Sequence, residues 1–375
     1  MTSTNRERSV VVIELQGGND ALNTVIPYNN PLYYDFRSNV GIPEGEVLHL
    51  DGEVGFNPNL AAIKHLWDQG DIAVINGIGY PNPNRSHFRS RDVWYTAESE
   101  KIGAEGWLGA AIRDLDPRGE NVLTGVNFGR GLPRAMVCKG VPVASVANLE
   151  TYGLMPDIQD EKSRQYALEA FSRIYGPTET KDIVAQVLSE TGSNALKGAD
   201  RLRSAPDLYS SSVEYADTPI SQSLRNMAQV MSAGLGTRFY YTMHGSFDTH
   251  SNELPAHAKL WTDVSTAIAD FTSDLEEHGM LDDTLILVFS EFGRRIKDNG
   301  TGTDHGSGGA AFVIGGSVNG GLYGDYPSLR PEDHSEGDLH FTNDFRSTYA
   351  TILNRWLELD PVPIVHGDYE QFAFL

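Results

Sequence analysis

Residues 10–20 read Val-Val-Val-Ile-Glu-Leu-Gln-Gly-Gly-Asn-Asp, a short apolar run that ends in a polar loop. The β-branched residues at 10–13 predict a strand that is buried on both faces, as in parallel sheets covered by helices. The Gly17-Gly18 pair indicates a tight turn at the carboxyl end of this strand. Ligands of open α/β sheets bind beyond such strand ends. Asp20 is therefore the first candidate functional residue, although an aspartate after two glycines can also serve only to stabilise a turn.

The same alternation of strands and helices continues along the chain. Strands are predicted at residues 72–80, 238–243, 284–289 and 310–314, helices at 86–94, 107–115, 255–278 and 345–357, and a pair of short strands within 135–147. This alternation predicts an α/β fold with a mostly parallel central sheet and helices on both faces. We interpret residues 1–375 as one domain, with a helical insertion or cap at about residues 155–235.

Composition narrows the class of protein. The chain has 375 residues with 29 Lys and Arg against 51 Asp and Glu, which gives a net charge of −22. A surface this acidic disfavours binding to nucleic acids and to anionic membranes, although the acidity can also serve solubility alone. A single cysteine, Cys138, cannot form an internal disulfide or a thiolate metal cage. No apolar run approaches the roughly 18 residues of a membrane helix.

These features predict a soluble globular enzyme, with an oligomeric state that the sequence leaves open. The first nine residues are polar and lack the apolar core of a secretory signal. We expect a cytoplasmic protein, or a periplasmic or secreted one if an export signal was removed.

Polar residues of metal-binding type follow the predicted strands. Asp20 comes after the first strand, a group at 85–87 after the second, Asp248 and His250 after the 238–243 strand, and further candidates beyond residue 289. The full set is Asp20, Arg85, Ser86, His87, Asp248, His250, Glu291, Asp304 and His305. Imidazole and carboxylate together favour Zn²⁺, Mn²⁺ or iron, and a carboxylate-rich share also admits Ca²⁺ or Mg²⁺. The sequence therefore predicts one or two divalent metal ions, with Zn²⁺ and Mn²⁺ favoured.

Each motif taken alone has a simpler interpretation. The loop around Glu291 could be only a salt-bridged connection, and Asp304-His305 could lie in an exposed glycine-rich loop. Other catalytic signatures are missing: the glycines near residues 77–79 and 302–309 lack the rest of a dinucleotide fingerprint or a P-loop. A Gly-x-Ser-x-Gly nucleophile elbow is also absent.

The order of the motifs carries a resemblance. The motifs are Gly-Gly-Asn-Asp at 17–20, Tyr-Pro-Asn-Pro-Asn-Arg-Ser-His-Phe at 80–88, Phe-Asp-Thr-His at 247–250, Ser-Glu-Phe-Gly-Arg-Arg at 290–295, Thr-Asp-His-Gly at 303–306 and Thr-Asn-Asp-Phe-Arg-Ser at 342–347. This ordered set resembles the DUF1501 family, which is related to the alkaline phosphatase and sulfatase superfamily. The resemblance implies an alkaline phosphatase-like fold and a hydrolase with two metal ions.

The resemblance also implies roles for the candidate residues. Ser86 matches the nucleophile at a helix N-terminus, and Arg85 beside it would hold phosphate or sulfate oxygens. Asp248, His250 and His305 would hold one metal ion. The second would be held by Asp20 and Glu291, with Asp304 as a further ligand.

Two departures from the superfamily pattern affect the chemistry. Phe292 stands where a metal-binding histidine is usual, so one site loses an imidazole. Pro81 stands where sulfatases carry the cysteine that becomes formylglycine, which argues against ordinary sulfatase chemistry. A metal-bound hydroxide could then replace Ser86 as the nucleophile, with His87 as proton carrier.

We therefore expect a metal-dependent hydrolase of phosphate or sulfate esters. Two alternatives stay open: a catalytically degenerate protein that binds an anion or glycan, and a metal-dependent phosphotransferase or mutase that forms a phosphoserine at Ser86.

Overall fold

The computed structural model describes residues 7–149, 152, 160–176 and 182–375. Parts of the helical insertion expected at about 155–235 lie outside the described residues. The strands are β1 Ser9–Leu15, β2 Val25–Ile26, β3 Leu48–His49, β4 Gly55–Phe56, β5 Ile72–Gly79, β6 Gly125–Phe128, β7 Ala144–Val146, β8 Phe239–His244, β9 Thr284–Phe289, β10 Gly309–Ile314, β11 Gly321–Tyr323 and β12 Asn343–Asp344. The α-helices are α1 Pro31–Phe36, α2 Lys64–Gln69, α3 His87–Thr96, α4 Trp107–Leu115, α5 Glu161–Tyr175, α6 Ile183–Arg203, α7 Pro219–Ser232, α8 Glu253–Glu277, α9 Phe345–Thr351 and α10 Val362–Val365.

The main sheet has the strand order β11-β5-β10-β9-β1-β8-β6-β7, and β12 also pairs with β5. Strand β10 runs antiparallel to both of its neighbours, β5 and β9. The other pairs in this sheet are parallel, with β1 at the centre between β8 and β9. The prediction of a mostly parallel sheet is confirmed.

Both faces of the sheet are covered, as the β-branched run in β1 predicts. Val11 and Ile13 point into a hydrophobic cluster that includes residues of α7 and α8. Val10 and Val12 point into a second cluster on the opposite face, with residues of α3, α4 and α9. All four side chains are fully buried. Alternation along one strand thus supplies two cores.

One prediction about the strands is wrong. Residues 135–147 contain one strand only, β7 at Ala144–Val146, and a short 3₁₀ turn at Arg134–Met136 precedes it. Gly140 has a φ of +78°, which turns the chain, and Pro142 has no N–H to donate to a neighbouring strand. Residues 137–143 therefore do not pair, in spite of their apolar composition.

The topology brings three polar loops to one edge of the sheet. Because β8, β1 and β9 are adjacent and parallel, their carboxyl ends lie side by side: Leu15 pairs with His244, and Glu14 pairs with Phe289. The loops that follow these strands are therefore neighbours, and α3 begins beside them. Within the described residues, no helix combines the length and the apolar character needed to cross a membrane.

Shortening a buried side chain of the central strand β1 should destabilise the protein strongly. Ile13 is fully buried between the sheet and α8, so Ile13→Ala should lower the free energy of unfolding by about 2–5 kcal/mol through lost apolar contacts and a cavity. Ile174→Ala on α5 is the matched control, since the Ile174 side chain is exposed. Denaturant unfolding followed by circular dichroism would measure both variants, and equal effects would contradict this account of the core.

Candidate metal centre

The loop before α3 is built to present the start of that helix. The Asn84 side chain accepts a hydrogen bond from the Ser86 N–H (2.8 Å), and the Asn84 N–H donates to the Tyr80 hydroxyl (3.1 Å). The Tyr80 hydroxyl in turn lies 2.8 Å from Ser90 Oγ, one turn into the helix. These contacts fix His87, the first residue of α3, at the carboxyl edge of the sheet.

Three imidazole rings converge there on one carboxylate. Asp248 Oδ1 lies 2.9 Å from His305 Nε2 and 3.1 Å from His250 Nε2, and Asp248 Oδ2 lies 3.5 Å from His87 Nε2. The two Nε2 atoms of His250 and His305 are 3.0 Å apart. Ligand atoms of His87, Asp248 and His305 all lie within 4.8 Å of one another, a spacing that could hold a metal ion. We call these four residues the His-Asp cluster.

The other nitrogen of each ring, Nδ1, faces a hydrogen-bond acceptor. A carboxylate or carbonyl can only accept, so each Nδ1 must carry the hydrogen, and a neutral ring then presents its lone pair at Nε2. The same division of roles is found in metal-bound histidines, whose outer nitrogen donates to a carboxylate or carbonyl. The acceptors are Glu291 for His87 (2.8 Å), Asp304 for His250 (3.0 Å) and the Arg85 carbonyl for His305 (2.8 Å).

This geometry calls for a cation at the centre of the cluster. Lone pairs of His250 and His305 that face each other across 3.0 Å, beside the Asp248 carboxylate, repel one another unless a proton or a metal ion lies among them. Imidazole nitrogen and carboxylate oxygen are a ligand set that suits Zn²⁺ and Mn²⁺. The residues present therefore fit a divalent metal ion.

The charges of the cluster are set by its neighbours. Burial raises the pKa of Asp248, but the hydrogen bond and charge of Arg294, together with the adjacent His305 and His250 rings, outweigh it and lower the pKa to about 2. Asp248 is therefore an ionised carboxylate at any pH well above 2. The hydrogen bond to Glu291 raises the pKa of His87 above its ordinary value, so that ring tends to keep a second proton.

Phe292, which the sequence suggests as a lost metal ligand, has a packing role. Its ring lies 5.0 Å from the His87 ring and 4.8 Å from the His305 ring, measured between ring centres. It is buried, and so forms an apolar wall on one side of the cluster. The substitution of an aromatic ring for an imidazole thus limits how these two histidines can rotate.

Arg294 is the residue of this site that sequence reasoning missed. Its fully buried guanidinium donates to the carbonyls of Gly18 (2.6 Å) and Phe247 (3.0 Å) and to Asp248 (2.6 Å), and also to the carbonyls of Gly17 and Thr303. It therefore joins the loops after β1 and β8 to the glycine-rich loop before β10. The only sequence signal was its place in the Gly-Arg-Arg motif, five residues beyond a buried strand.

The residues that the sequence suggests for a second metal ion have other partners in the structure. Asp20 is fully buried and both of its carboxylate oxygens bind the guanidinium of Arg37. Glu291 accepts from His87 and from the Gly17 and Gly18 N–H groups, and Asp304 accepts from His250. The physical reason is that an internal cation, Arg37, already neutralises Asp20.

Arg85 and Ser86 immediately precede His87 in the chain, and their side chains differ in whether the protein engages them. The Arg85 guanidinium donates to Asp338 through Nε (2.9 Å) and Nη2 (2.8 Å), so it is engaged by the protein. Ser86 is exposed at the N-cap of α3, and its side chain makes no capping hydrogen bond. In the chain it stands between Arg85, whose carbonyl accepts from His305, and His87, which belongs to the cluster.

These observations define an α/β protein with a candidate metal centre at the carboxyl edge of its main sheet. The chain belongs to the DUF1501 family: the model of that family, described as "Protein of unknown function (DUF1501)", matches residues 78–365. No curated protein matches the sequence.

Several solved structures resemble the chain at low sequence identity. The phosphonate monoester hydrolase SpPMH from Silicibacter pomeroyi is 13% identical, with a TM-score of 0.43 over 98% of this chain and 78% of that one. The PsFucS1 sulfatase from Pseudoalteromonas sp. is 12% identical, with a TM-score of 0.41 over 98% and 71%. A protein in the alkaline phosphatase superfamily from Vibrio parahaemolyticus is 11% identical, with a TM-score of 0.37 over 94% and 67%. At these scores the similarity carries no argument about activity.

The buried charges around Asp20 predict a pH-dependent stability. Burial and the neighbouring Asp20 carboxylate raise the pKa of Glu253 well above its ordinary value of 4.5, because Arg37 balances only one of the two acids. The pKa of Glu253 is about 9 in the folded protein and 4.5 in the unfolded chain. At a pH between these two values the folded protein therefore binds more protons than the unfolded chain. Stability must fall as the pH rises through that interval.

We therefore expect Glu253→Gln, which keeps a neutral side chain of similar shape, to gain stability relative to the unsubstituted protein as the pH rises above about 5. The gain should approach about 1.4 kcal/mol per pH unit while Glu253 stays protonated in the folded state. Denaturant unfolding of both proteins at several pH values would measure it. A difference that stays constant with pH would show that Glu253 is ionised in the fold.

Proposed function

We propose that this protein is a metal-dependent hydrolase of phosphate or sulfate esters. The observation that carries the proposal is the convergence of the Nε2 atoms of His250 and His305 on Asp248, with Nδ1 of each ring held by an acceptor. Facing lone pairs beside a carboxylate repel one another, and a cation among them removes that repulsion.

In this proposal Asp248, His250 and His305 hold one divalent metal ion, Zn²⁺ or Mn²⁺ before Ca²⁺, Mg²⁺ or iron. When bound, the ion would supply Lewis acidity to the ester oxygens and favour ionisation of a hydroxyl or water. Asp304 and the Arg85 carbonyl orient two of the ligands from behind. Glu291 and Asp20, which the family resemblance would assign to a second ion, are engaged elsewhere.

His87 is proposed as the proton carrier rather than as the main ligand. Its Nε2 is 3.5 Å from Asp248, farther than the Nε2 atoms of the other two rings. Its pKa is raised above the ordinary value, first by the hydrogen bond to Glu291, and this favours the protonated ring. A protonated imidazole at the edge of the cluster can donate that proton to the oxygen of a leaving group.

Ser86 is the proposed nucleophile. It is exposed and uncapped at the start of α3, and its neighbours in the chain, Arg85 and His87, both contact the cluster. The first backbone N–H groups of a helix have no partner within the helix and attract anions, so an ester bound here would meet a favourable field. Attack by water, with His87 as proton carrier, is the alternative for this step.

The substrate class follows from the exposure of the cluster. Side chains of Asp248 and His250 are nearly half exposed, so the site can accept a group that projects from a larger molecule. We propose small-molecule or glycan esters of phosphate or sulfate. The net charge of −22 argues against a polyanionic nucleic acid.

A protein that binds metal without turnover is the second candidate, and one observation favours it. The Arg85 side chain, which would stabilise an ester oxyanion, is bound to Asp338. With this cation engaged and Phe292 in place of a ligand, the cluster could hold a structural ion or bind an anionic sugar. A screen of aryl phosphates, phosphodiesters and aryl sulfates with Zn²⁺, Mn²⁺ and Ca²⁺ separates the two candidates. Bound metal without turnover of any substrate would favour the binder.

Substitutions in the cluster should separate metal binding from proton transfer. Asp248→Asn should abolish both bound metal and turnover, because it removes the charge that all three rings share. His87→Gln should retain metal and lose turnover by about 100-fold or more, the usual contribution of a general acid. Elemental analysis and an aryl ester assay would measure these effects, with His65→Gln, an exposed histidine on α2, as control. Full activity in Asp248→Asn would refute the proposal.

The nucleophile can be tested by one further substitution. If Ser86 is the nucleophile, Ser86→Ala should lose turnover while its metal content and unfolding midpoint stay unchanged, because the side chain is exposed and makes no capping bond. Intact-mass analysis after rapid quenching should detect a phosphorylated form of the unsubstituted protein only. Undiminished turnover in Ser86→Ala would show that water, and not Ser86, is the nucleophile. A stable phosphoserine would favour a phosphotransferase or mutase.

A further inference from the structure

An anionic ester bound at the His-Asp cluster needs a positive protein group for its outer oxygens, and the arginine expected from the sequence is not free to provide one. Arg85 is held by Asp338 at 2.8 Å. Arg295 has the same partner at 3.8 Å. Arg294 is fully buried and contacts five acceptors, so it cannot reach a substrate.

Arg91 differs from these three arginines. It lies on α3 four residues after His87, and residues four apart on a helix are neighbours on one face. About one third of its side chain is exposed. Its hydrogen bond runs from Nε to the Tyr95 hydroxyl (3.1 Å), and Nε lies 3.4 Å from the Glu14 carboxylate. Within the part of the chain that the structure describes, neither Nη atom donates to a partner.

The support beneath Arg91 is rigid. The Tyr95 hydroxyl that accepts from Nε donates to Glu14 (2.7 Å), and the Tyr241 hydroxyl donates to the same carboxylate (2.6 Å). The guanidinium carbon lies 5.7 Å from the centre of the Tyr95 ring, a cation–π contact. Glu14 is fully buried on β1, so this network is anchored in the central strand. One edge of the guanidinium is therefore fixed, and the other is left open.

We propose that Arg91 is the residue that binds the outer oxygens of a tetrahedral oxyanion, phosphate or sulfate, at the His-Asp cluster. The inference rests on the proposed function, since it assigns the substrate contact of that same site. A guanidinium with two open Nη groups matches two oxygens of such an anion, and a preorganised guanidinium loses little freedom on binding.

The local charge supports this assignment. Burial raises the pKa of Glu14 above its ordinary value, although hydrogen bonds from Tyr241 and Tyr95 and the charge of Arg91 act in the opposite direction. Two tyrosine hydroxyls also share the Glu14 carboxyl group. Glu14 thus divides its two oxygens among three groups, and Arg91 meets it through Nε alone.

The test is a titration of inorganic phosphate, and separately of sulfate, into metal-loaded protein by calorimetry. Arg91→Gln should weaken binding of the anion by roughly 10- to 100-fold while leaving the metal content unchanged. Arg91→Lys should restore part of the loss. Arg89→Gln is the matched control: it removes the same charge from the same helix, but Arg89 is bound to Asp92 (2.6 Å) and to the Ser99 carbonyl, so anion binding should change less than twofold.

The outcomes distinguish the inference from the proposed function. Unchanged affinity in Arg91→Gln, a loss in Arg85→Gln instead, or no anion binding by the metal-loaded protein would each overturn the role of Arg91. Protein that takes up no metal would contradict the proposed function, and the same titration without metal would then decide the inference. Affinity that still depends on Arg91 would support it, and affinity that does not would overturn it.

Discussion

The candidate site depends on one buried side chain, Arg294. Its guanidinium binds backbone carbonyls of the loops after β1 and β8 and of the loop before β10, and it also pairs with Asp248. Three irregular loops leave many carbonyl groups without partners in secondary structure, and a buried arginine can satisfy several of them at once. The close approach also needs Gly17, with a φ of +125°, because a Cβ atom there would meet the Asp248 backbone nitrogen at 2.3 Å. Asp248 is thus fixed in position and charge before any ligand binds.

Around that carboxylate, charge is distributed in two separate layers. The exposed layer is the His-Asp cluster, where two imidazole nitrogens and a carboxylate face one another and can accommodate a cation. The buried layer contains Asp20 and Glu253, where Arg37 is the cation and the second acid tends to stay protonated. The difference is one of desolvation. A fully buried carboxylate must be paired within the protein, whereas a half-exposed one is still solvated by water and stays accessible to a ligand. This contrast explains why Asp20 is paired inside the protein while Asp248 stays accessible at the sheet edge.

Much of the fold could be predicted because its signals are local. β-branched runs such as residues 10–13 specify strands, and amphipathic repeats specify helices such as α8. The failure at residues 137–143 has a local cause too, since Pro142 and the turn at Gly140 outweigh apolar composition. For the site, strand-end position drew attention to His87, Asp248, His250 and His305, whose side chains lie close together in the structure. The same rule cannot tell which side chains meet in the cluster and which accept hydrogen bonds from the far side of its rings, as Glu291 and Asp304 do.

By itself, the sequence determined the class of fold, the edge of the sheet that carries the polar loops, and the kinds of side chain found there. Each of these follows from residue type and chain order. Only the tertiary structure decided which partner each polar group has. Asp20 pairs with Arg37, Arg85 with Asp338, and Arg91 keeps its outer nitrogens open. Hydrogen bonds and ion pairs act over about 3 Å between residues that are far apart in the chain, so no local pattern records which of them meet.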